Sequence, residues 1–345
     1  MCGQNKLENG TGMKIRILGT ESLGVRGLCC SVELKGRKIM IDPGIALGWK
    51  RRGFLPHPFQ VAVGARTRET IITELENATD VVFSHFDGDH VPLSNANPYQ
   101  LRLESVKELL SDIRIWAKGA ERSSEIQKRR REAIERAVKK SLPNAEGQTE
   151  GPLSFSSPVP HGLRSEKAVS VMMTRIKEEG EIFVHASDVQ LLNEDTVEKI
   201  LAWNPNIVFT SGPPLYLSIL SEKQRQIAKQ NALRLAQNVE ILIVDHHLLR
   251  SEEGVKWLKE IASAAGNRVI CAADFMQREP LYLEAWRKEL YEWLPVPEDW
   301  HENYKRGDAD LNRYQQKGWE VLFKKGKIKH YSPHVADRSA VSHCH

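Results

Sequence analysis

A chain of 345 residues with 41% hydrophobic content can bury one large core or two ordinary ones, as a globular protein does. Its 49 basic and 45 acidic residues leave a formal charge of +4, too small for this length to demand a nucleic-acid partner by itself. Five cysteines, Cys2, Cys29, Cys30, Cys271 and Cys344, form no Cys-x-x-Cys pair and are odd in number, which argues against a disulfide framework or a thiolate zinc site and fits a reducing, cytoplasmic setting.

The first dozen residues are polar and lack the apolar core of a secretory signal, and no apolar stretch is long enough to span a bilayer. Residues 1–12 are read as a disordered extension. Lys14 to Leu18 reads as a first strand, followed by a loop with Gly19 and Gly24 at its ends. A hairpin follows, Cys29 to Leu34 and Arg37 to Ile41 around Lys35-Gly36, closing on Asp42-Pro43-Gly44. Arg51 to Pro58 is a basic, rigid loop, read either as overhanging a site for an anionic substrate or as plain surface. A helix is expected over 66–78, then a short buried strand, Val81 to Phe83.

Residues 101–141 carry no strand pattern and are dense in charge, Lys128-Arg129-Arg130-Arg131 above all, so a helical insertion over 101–150 is expected, broken near Lys118-Gly119. A Gly/Ser/Pro-rich linker then runs from Pro143 to Pro160. Strands are expected at Val169 to Ile176, Glu181 to Ala186, Ile207 to Thr210, Glu240 to Val244 and Arg268 to Ala272. Helices are expected at Glu194 to Ala202, Ser221 to Gln237 and Glu252 to Ala264. The aromatic segment from Pro280 onward is read as helices over the core, and 331–345 as a flexible tail. Strands and helices repeated on both sides of the linker suggest two facing half-domains in one domain over 13–330.

The densest chemistry follows Val81 to Phe83, where His85, Asp87, Asp89 and His90 place four metal-capable side chains within six positions at the carboxyl end of a strand. The bland alternative is an ordinary Asp-Gly-Asp-His turn. The same design recurs: His161 after Pro158-Val159-Pro160, Asp188 after Phe183 to Ser187, and His246 and His247 after Ile241 to Asp245. One such cluster is an N-cap or a loop histidine; four of them after apolar strands argue for metal.

These residues resemble the metallo-β-lactamase superfamily, whose signature is His-x-His-x-Asp-His after a strand, then a lone His, a lone Asp and a final His. Ile17-Leu18-Gly19-Thr20 and Ile41-Asp42-Pro43-Gly44 are similar to that superfamily's opening, and the likeness extends from Met13 to about Ala273. Within it the chain is similar to a mainly archaeal branch of predicted metal-dependent hydrolases with no settled substrate. The resemblance implies an α/β fold, a four-layered αβ/βα sandwich, with His85, Asp87 and His161 on a first metal, Asp89, His90 and His246 on a second, and Asp188 bridging. The choice of His246 over His247 rests on analogy with Ser84-His85 alone. His185, Asp245 and His247 are read either as partners that fix ligand tautomers or as plain strand-end residues.

Asp87 departs from the pattern by standing where a histidine is usual, and a carboxylate shifts the odds among two divalent ions, zinc, manganese or iron, away from zinc. The expected activity is hydrolysis of an ester, lactone or phosphodiester by a hydroxide shared between two metals, with Asp89 as ligand and hydroxide orienter. A nuclease using the basic insertion and a di-iron redox protein are the alternatives. A small molecule is the expected substrate, nucleic acid the alternative partner, and a homo-oligomer is left open.

Overall fold

The computed structural model describes residues 12–51, 53–162 and 169–330. The expected N-terminal extension, apart from Gly12, and the tail at 331–345 lie outside the described residues. The amino half contains β1 (Lys14–Gly19), β2 (Cys29–Leu34), β3 (Arg37–Ile41), α1 (Pro58–Glu76), β4 (Asp80–Phe83), α2 (Lys107–Asp112), β5 (Arg114–Ala117) and α3 (Glu125–Val138). Short strands follow: β6 (Thr149–Glu150), β7 (Leu153–Phe155), β8 (Val159–Pro160), β9 (Ser170–Val171) and β10 (Thr174–Glu178). The carboxyl half has β11 (Glu181–Ala186), α4 (Glu194–Ala202), β12 (Ile207–Thr210), α5 (Glu222–Asn238), β13 (Ile241–Val244), α6 (Glu252–Ala264), β14 (Val269–Ile270) and α7 (Ala272–Phe275). The end of the described chain is helical: α8 (Arg287–Trp293), α9 (Trp300–Arg306) and α10 (Leu311–Lys324).

Two sheets form the interior, one ordered β1-β2-β3-β4-β5 and the other β14-β13-β12-β11-β10-β7-β6. Side-chain alternation along each strand decides which layer it meets. Cys30, Val32, Ile39, Ile41, Val82 and Trp116 join Phe155, Ile176 and Phe183 of the other sheet in one core. Their neighbours Cys29, Met40, Val81, Phe83, Ile115 and Ala117 turn outward, to Ile71 and Leu75 of α1, Leu110 of α2 and Ile134 of α3. Helices α4, α5 and α6 cover the far face of the second sheet through Val197, Ile200, Leu235 and Leu258. The layers are therefore helix, sheet, sheet, helix, the expected four-layered sandwich.

Several expectations need correction. Residues 101–141 are not helical throughout: Arg114–Ala117 is a strand pairing parallel with β4. Its Arg-Ile-Trp-Ala run is too short to register among dense charges. Helices α2 and α3 are packed parts of the outer layer rather than a projecting arm, since Leu110, Ile134 and Val138 are buried in its core. The linker supplies β6, β7 and β8, with Leu153, Phe155 and Val159 buried. The strand expected over Val169 to Ile176 is broken into β9 and β10 at Met172, whose N–H bonds Ser84 O at 2.9 Å beside the motif loop.

Helix α1 begins at Pro58, not 66, capped by His57, whose Nδ1 accepts from Phe59 N at 3.1 Å. It has no single apolar stripe because α10 buries its other side. A Cβ on Gly318 of α10 would fall 2.2 Å from the Phe59 ring, so only glycine permits that crossing. The last expected strand shortens to Val269–Ile270, because the chain turns into α7 at Ala272. Among the described residues no helix is long and apolar enough to cross a membrane.

Candidate metal centre

Every motif segment leaves the carboxyl end of a strand along one edge of the sandwich. Asp42 follows β3, Ser84 and His85 follow β4, His161 follows β8, Ser187 and Asp188 follow β11, and Asp245, His246 and His247 follow β13. Asp42, Asp188 and His246 have φ values of 48°, 52° and 40°, a left-handed backbone that non-glycine residues adopt at a cost of about 1 kcal/mol or more each. Such strain persists where surrounding contacts enforce it.

Asp188 sits between two sets of donors. Its Oδ2 faces His161 Nε2 at 3.0 Å, His247 Nε2 at 3.3 Å and His85 Nε2 at 3.4 Å, and His85 Nε2 in turn faces Asp87 Oδ2 at 3.5 Å. Its Oδ1 faces His90 Nε2 and His246 Nε2, both at 3.3 Å, and Asp89 Oδ2 lies 3.5 Å from His246 Nε2. Donors at about 2.0–2.1 Å from a tetrahedral ion lie about 3.3–3.4 Å from one another, so this spacing suits a small divalent cation. Among the described residues His85 Nε2 and Asp188 Oδ1 are buried with no hydrogen-bond partner, which leaves the lone pairs that an ion takes. The residues present fit divalent metal ions.

The structure brings all seven expected ligand residues into this cluster. It also adds one. His247 shares Asp188 with His161, while His85 and Asp87 form their own group with Asp188, so five side chains, in two groups that share Asp188, stand where four were expected. His246 turns to the second cluster, with Asp89 and His90. The other two residues read as tautomer partners are strand-end residues: His185 bonds Leu28 O at 2.8 Å, and Asp245 accepts from Thr20 Oγ1, Ser22 N, His246 N and Ala272 N, clamping loops and not imidazole rings.

Orientation of the imidazoles comes from Asp42, a residue the sequence offered only as part of a turn. It accepts from Ser84 N at 2.8 Å, Ser84 Oγ at 2.6 Å, Ser187 Oγ at 2.5 Å and His90 Nδ1 at 3.2 Å. The Ser84 hydroxyl, having given its proton to Asp42, accepts from His85 Nδ1 at 2.8 Å. Both rings thereby turn Nε2 toward Asp188. Burial would raise the Asp42 carboxyl, but the His90 hydrogen bond and nearby imidazoles hold it at about 2.

Proton affinities follow the same charges. Burial disfavours charge on His85, yet the neighbouring carboxylates of Asp188 and Asp87 raise it to about 9; His90, likewise buried, is raised well above its ordinary value by Asp188 and Asp42. His246 and His247 go the other way, lowered by burial and then by Arg250, His247 to about 4. Arg250 was missed in the sequence because it lies on a short turn past the motif. Its Nη2 is 3.3 Å from Asp89 Oδ2 and 2.8 Å from His246 Nε2, the nitrogen facing the second cluster.

The basic helix also reaches the site. Gln127 Nε2 donates to Asp87 Oδ1 at 2.9 Å, and Arg130 lies 3.7 Å from the same oxygen while donating to Phe86 O. Asp87, Asp89 and His161 are the partly exposed members, with side chains 34%, 19% and 22% accessible, so the centre opens to solvent on their side.

No protein-family model matches the chain. A UPF0282 protein of Methanosarcina mazei is 50% identical over 302 residues, 88% of this chain and 99% of its own length. UPF0282 proteins of Pyrococcus furiosus and Thermococcus gammatolerans are 33% and 32% identical over 81% of the chain and 93% and 95% of theirs. Solved structures resemble it loosely. Zn2+-bound PqqB from Methylobacterium extorquens has a TM-score of 0.45 at 12% identity, covering 77% of this chain and 98% of that one. A metal-dependent hydrolase of the β-lactamase superfamily has 0.40 at 13% identity, covering 75% and 94%. The two-sheet sandwich has the four-layered αβ/βα architecture that the sequence resemblance implied. The chain belongs to the UPF0282 family.

Proposed function

We propose that this UPF0282 protein is a binuclear metal-dependent hydrolase acting on a small molecule with an ester, lactone or phosphodiester bond. The observation that carries the reading is Asp188, a single buried carboxylate with each oxygen facing its own set of imidazoles. His85, Asp87, His161 and His247 would hold one ion and Asp89, His90 and His246 the other. Two such ions, zinc, manganese or iron, supply water activated near neutral pH and positive charge for a developing oxyanion.

The chain's own residues do the rest. Asp42 and Ser84 fix the ring orientations of His85 and His90, Gln127 leaves Asp87 one free oxygen, and Arg250 steadies Asp89, the residue placed best to orient the attacking water. Substrate approaches from the open side, past Asp87 and His161.

The nuclease reading draws less support. Arg131 is spent on the carbonyls of Lys118 and Leu142, Arg130 on Phe86, and Lys128 on Glu125, so little of the basic run is free to track phosphates. A di-iron redox role needs an electron partner as well as iron. Chromogenic ester, lactone and phosphodiester substrates offered to metal-loaded protein test the proposal: turnover of at least one, lost in Asp188→Ala, is expected. A doubly loaded protein inert to all three classes overturns it.

A further inference from the structure

The contacts around Arg250 close into a ring of charge. Arg250 Nε donates to Glu21 at 2.8 Å and Nη1 meets the Tyr216 hydroxyl at 3.3 Å. Arg51 lies over the Tyr216 ring, 4.9 Å from its centroid, and reaches Glu284 at 3.4 Å. Glu284 accepts from Arg26 at 2.6 Å, and Arg26 Nε lies 3.9 Å from Glu21, which completes the circuit. Arg287 also pairs with Glu284.

Four guanidiniums thus share two carboxylates, Glu21 and Glu284, whose side chains are 1% and 0% exposed. At least two positive charges are left over in a largely dehydrated place, an arrangement that is expensive without a counter-charge. The metal centre does not supply it, because Asp42, Asp87, Asp89 and Asp188 match the charge of two divalent ions. Arg250 and Arg287 are committed and buried, whereas Arg26 and Arg51 keep 25% and 16% of their side chains exposed, and Arg26 Nε is buried without a hydrogen-bond partner among the described residues. The ring abuts the second cluster directly: Arg250 touches Asp89, and Gly27, next to Arg26, donates its N–H to His246 Nδ1 at 3.2 Å.

We infer that Arg26 and Arg51 form an anion subsite that holds a phosphate group of the substrate beside the second metal cluster. This rests on the hydrolase reading and narrows it to phosphate-bearing substrates. A phosphate dianion brings two charges against that excess, where a carboxylate brings only one, and guanidinium forks pair with its oxygens.

Inorganic phosphate titrated calorimetrically into metal-loaded protein tests this, with metal content measured on the same samples. Arg51→Gln, on a partly exposed loop, is expected to weaken phosphate binding at least about tenfold at unchanged metal content, the loss of one charge-assisted hydrogen bond. Arg51→Lys, which keeps the charge without the fork, should fall between. Equal affinity in wild type and Arg51→Gln, or no binding by wild type at millimolar phosphate, overturns the subsite. If wild type takes up no metal, the hydrolase reading fails on its own, and the same titration without metal still reads the arginines.

Discussion

Gln127 Nε2 donates to Asp87 Oδ1 across 2.9 Å, and this bond between a buried helix amide and a loop carboxylate is how the chain holds an aspartate at the position where the sequence resemblance leads one to expect a histidine. With Oδ1 engaged, Asp87 offers Oδ2 alone to the first cluster. Replacing Gln127 by Ala should lower affinity for the first ion about 10- to 100-fold, the usual effect of losing a partner behind a ligand. Competition against a chromophoric chelator measures it, and unchanged affinity would remove Gln127 from the site.

Metal uptake should depend on pH with a definite sign. His85, raised to about 9, and His90, raised well above its ordinary value by Asp188 and Asp42, carry protons that an incoming ion must displace. Affinity should therefore fall as pH drops below about 9, by up to about tenfold per unit for each proton released. A flat profile between pH 6 and 9 speaks against imidazole ligation.

Gly44 packs against the motif loop so closely that a Cβ there would lie 2.2 Å from Val91 N and 2.3 Å from His90 C. Both obstacles are backbone. Gly44→Ala should displace His90 and lose the second ion while circular dichroism stays native; retention of two ions would show that the loop gives way cheaply.

Glu284 anchors the tail to the loop at Arg51. Burial would raise its carboxyl, but Arg26, Arg287 and Arg51 hold it at about 2, below the ordinary 4.5. Because the folded value is depressed, its contribution is present above about pH 4.5 and fades as pH falls toward 2. Glu284→Gln should destabilise by about 3–5 kcal/mol at neutral pH, since it strands buried guanidiniums. Urea unfolding should show the gap to wild type narrowing across that acid window.

Much of this was legible in the residues. Helix α4 and strands β11 and β12 have sharp polar boundaries and match their expected ends, and the His85 to His90 run announced its own chemistry. What stayed hidden depends on distance in the chain. Asp42 lies 48 residues from His90, so its hold on the ring needs the fold before it is visible. His247 and His246 are adjacent, and only the left-handed backbone at His246 sends their rings to different clusters. Helix α1 lost its apolar stripe because α10, far off in sequence, covers its second face, and β5 is too short to show a period. Gln127 is an unremarkable polar residue until α3 packs against the motif loop.

The central claim, that Asp188 joins two metal positions, is tested most directly by metal stoichiometry. Protein purified without added ions, and Asp188→Ala prepared the same way, would be measured by elemental analysis before and after chelation. Two divalent ions per chain in wild type, falling to one or none in Asp188→Ala, is the expected result. No bound transition metal in wild type, or the same two ions in the variant, would contradict it.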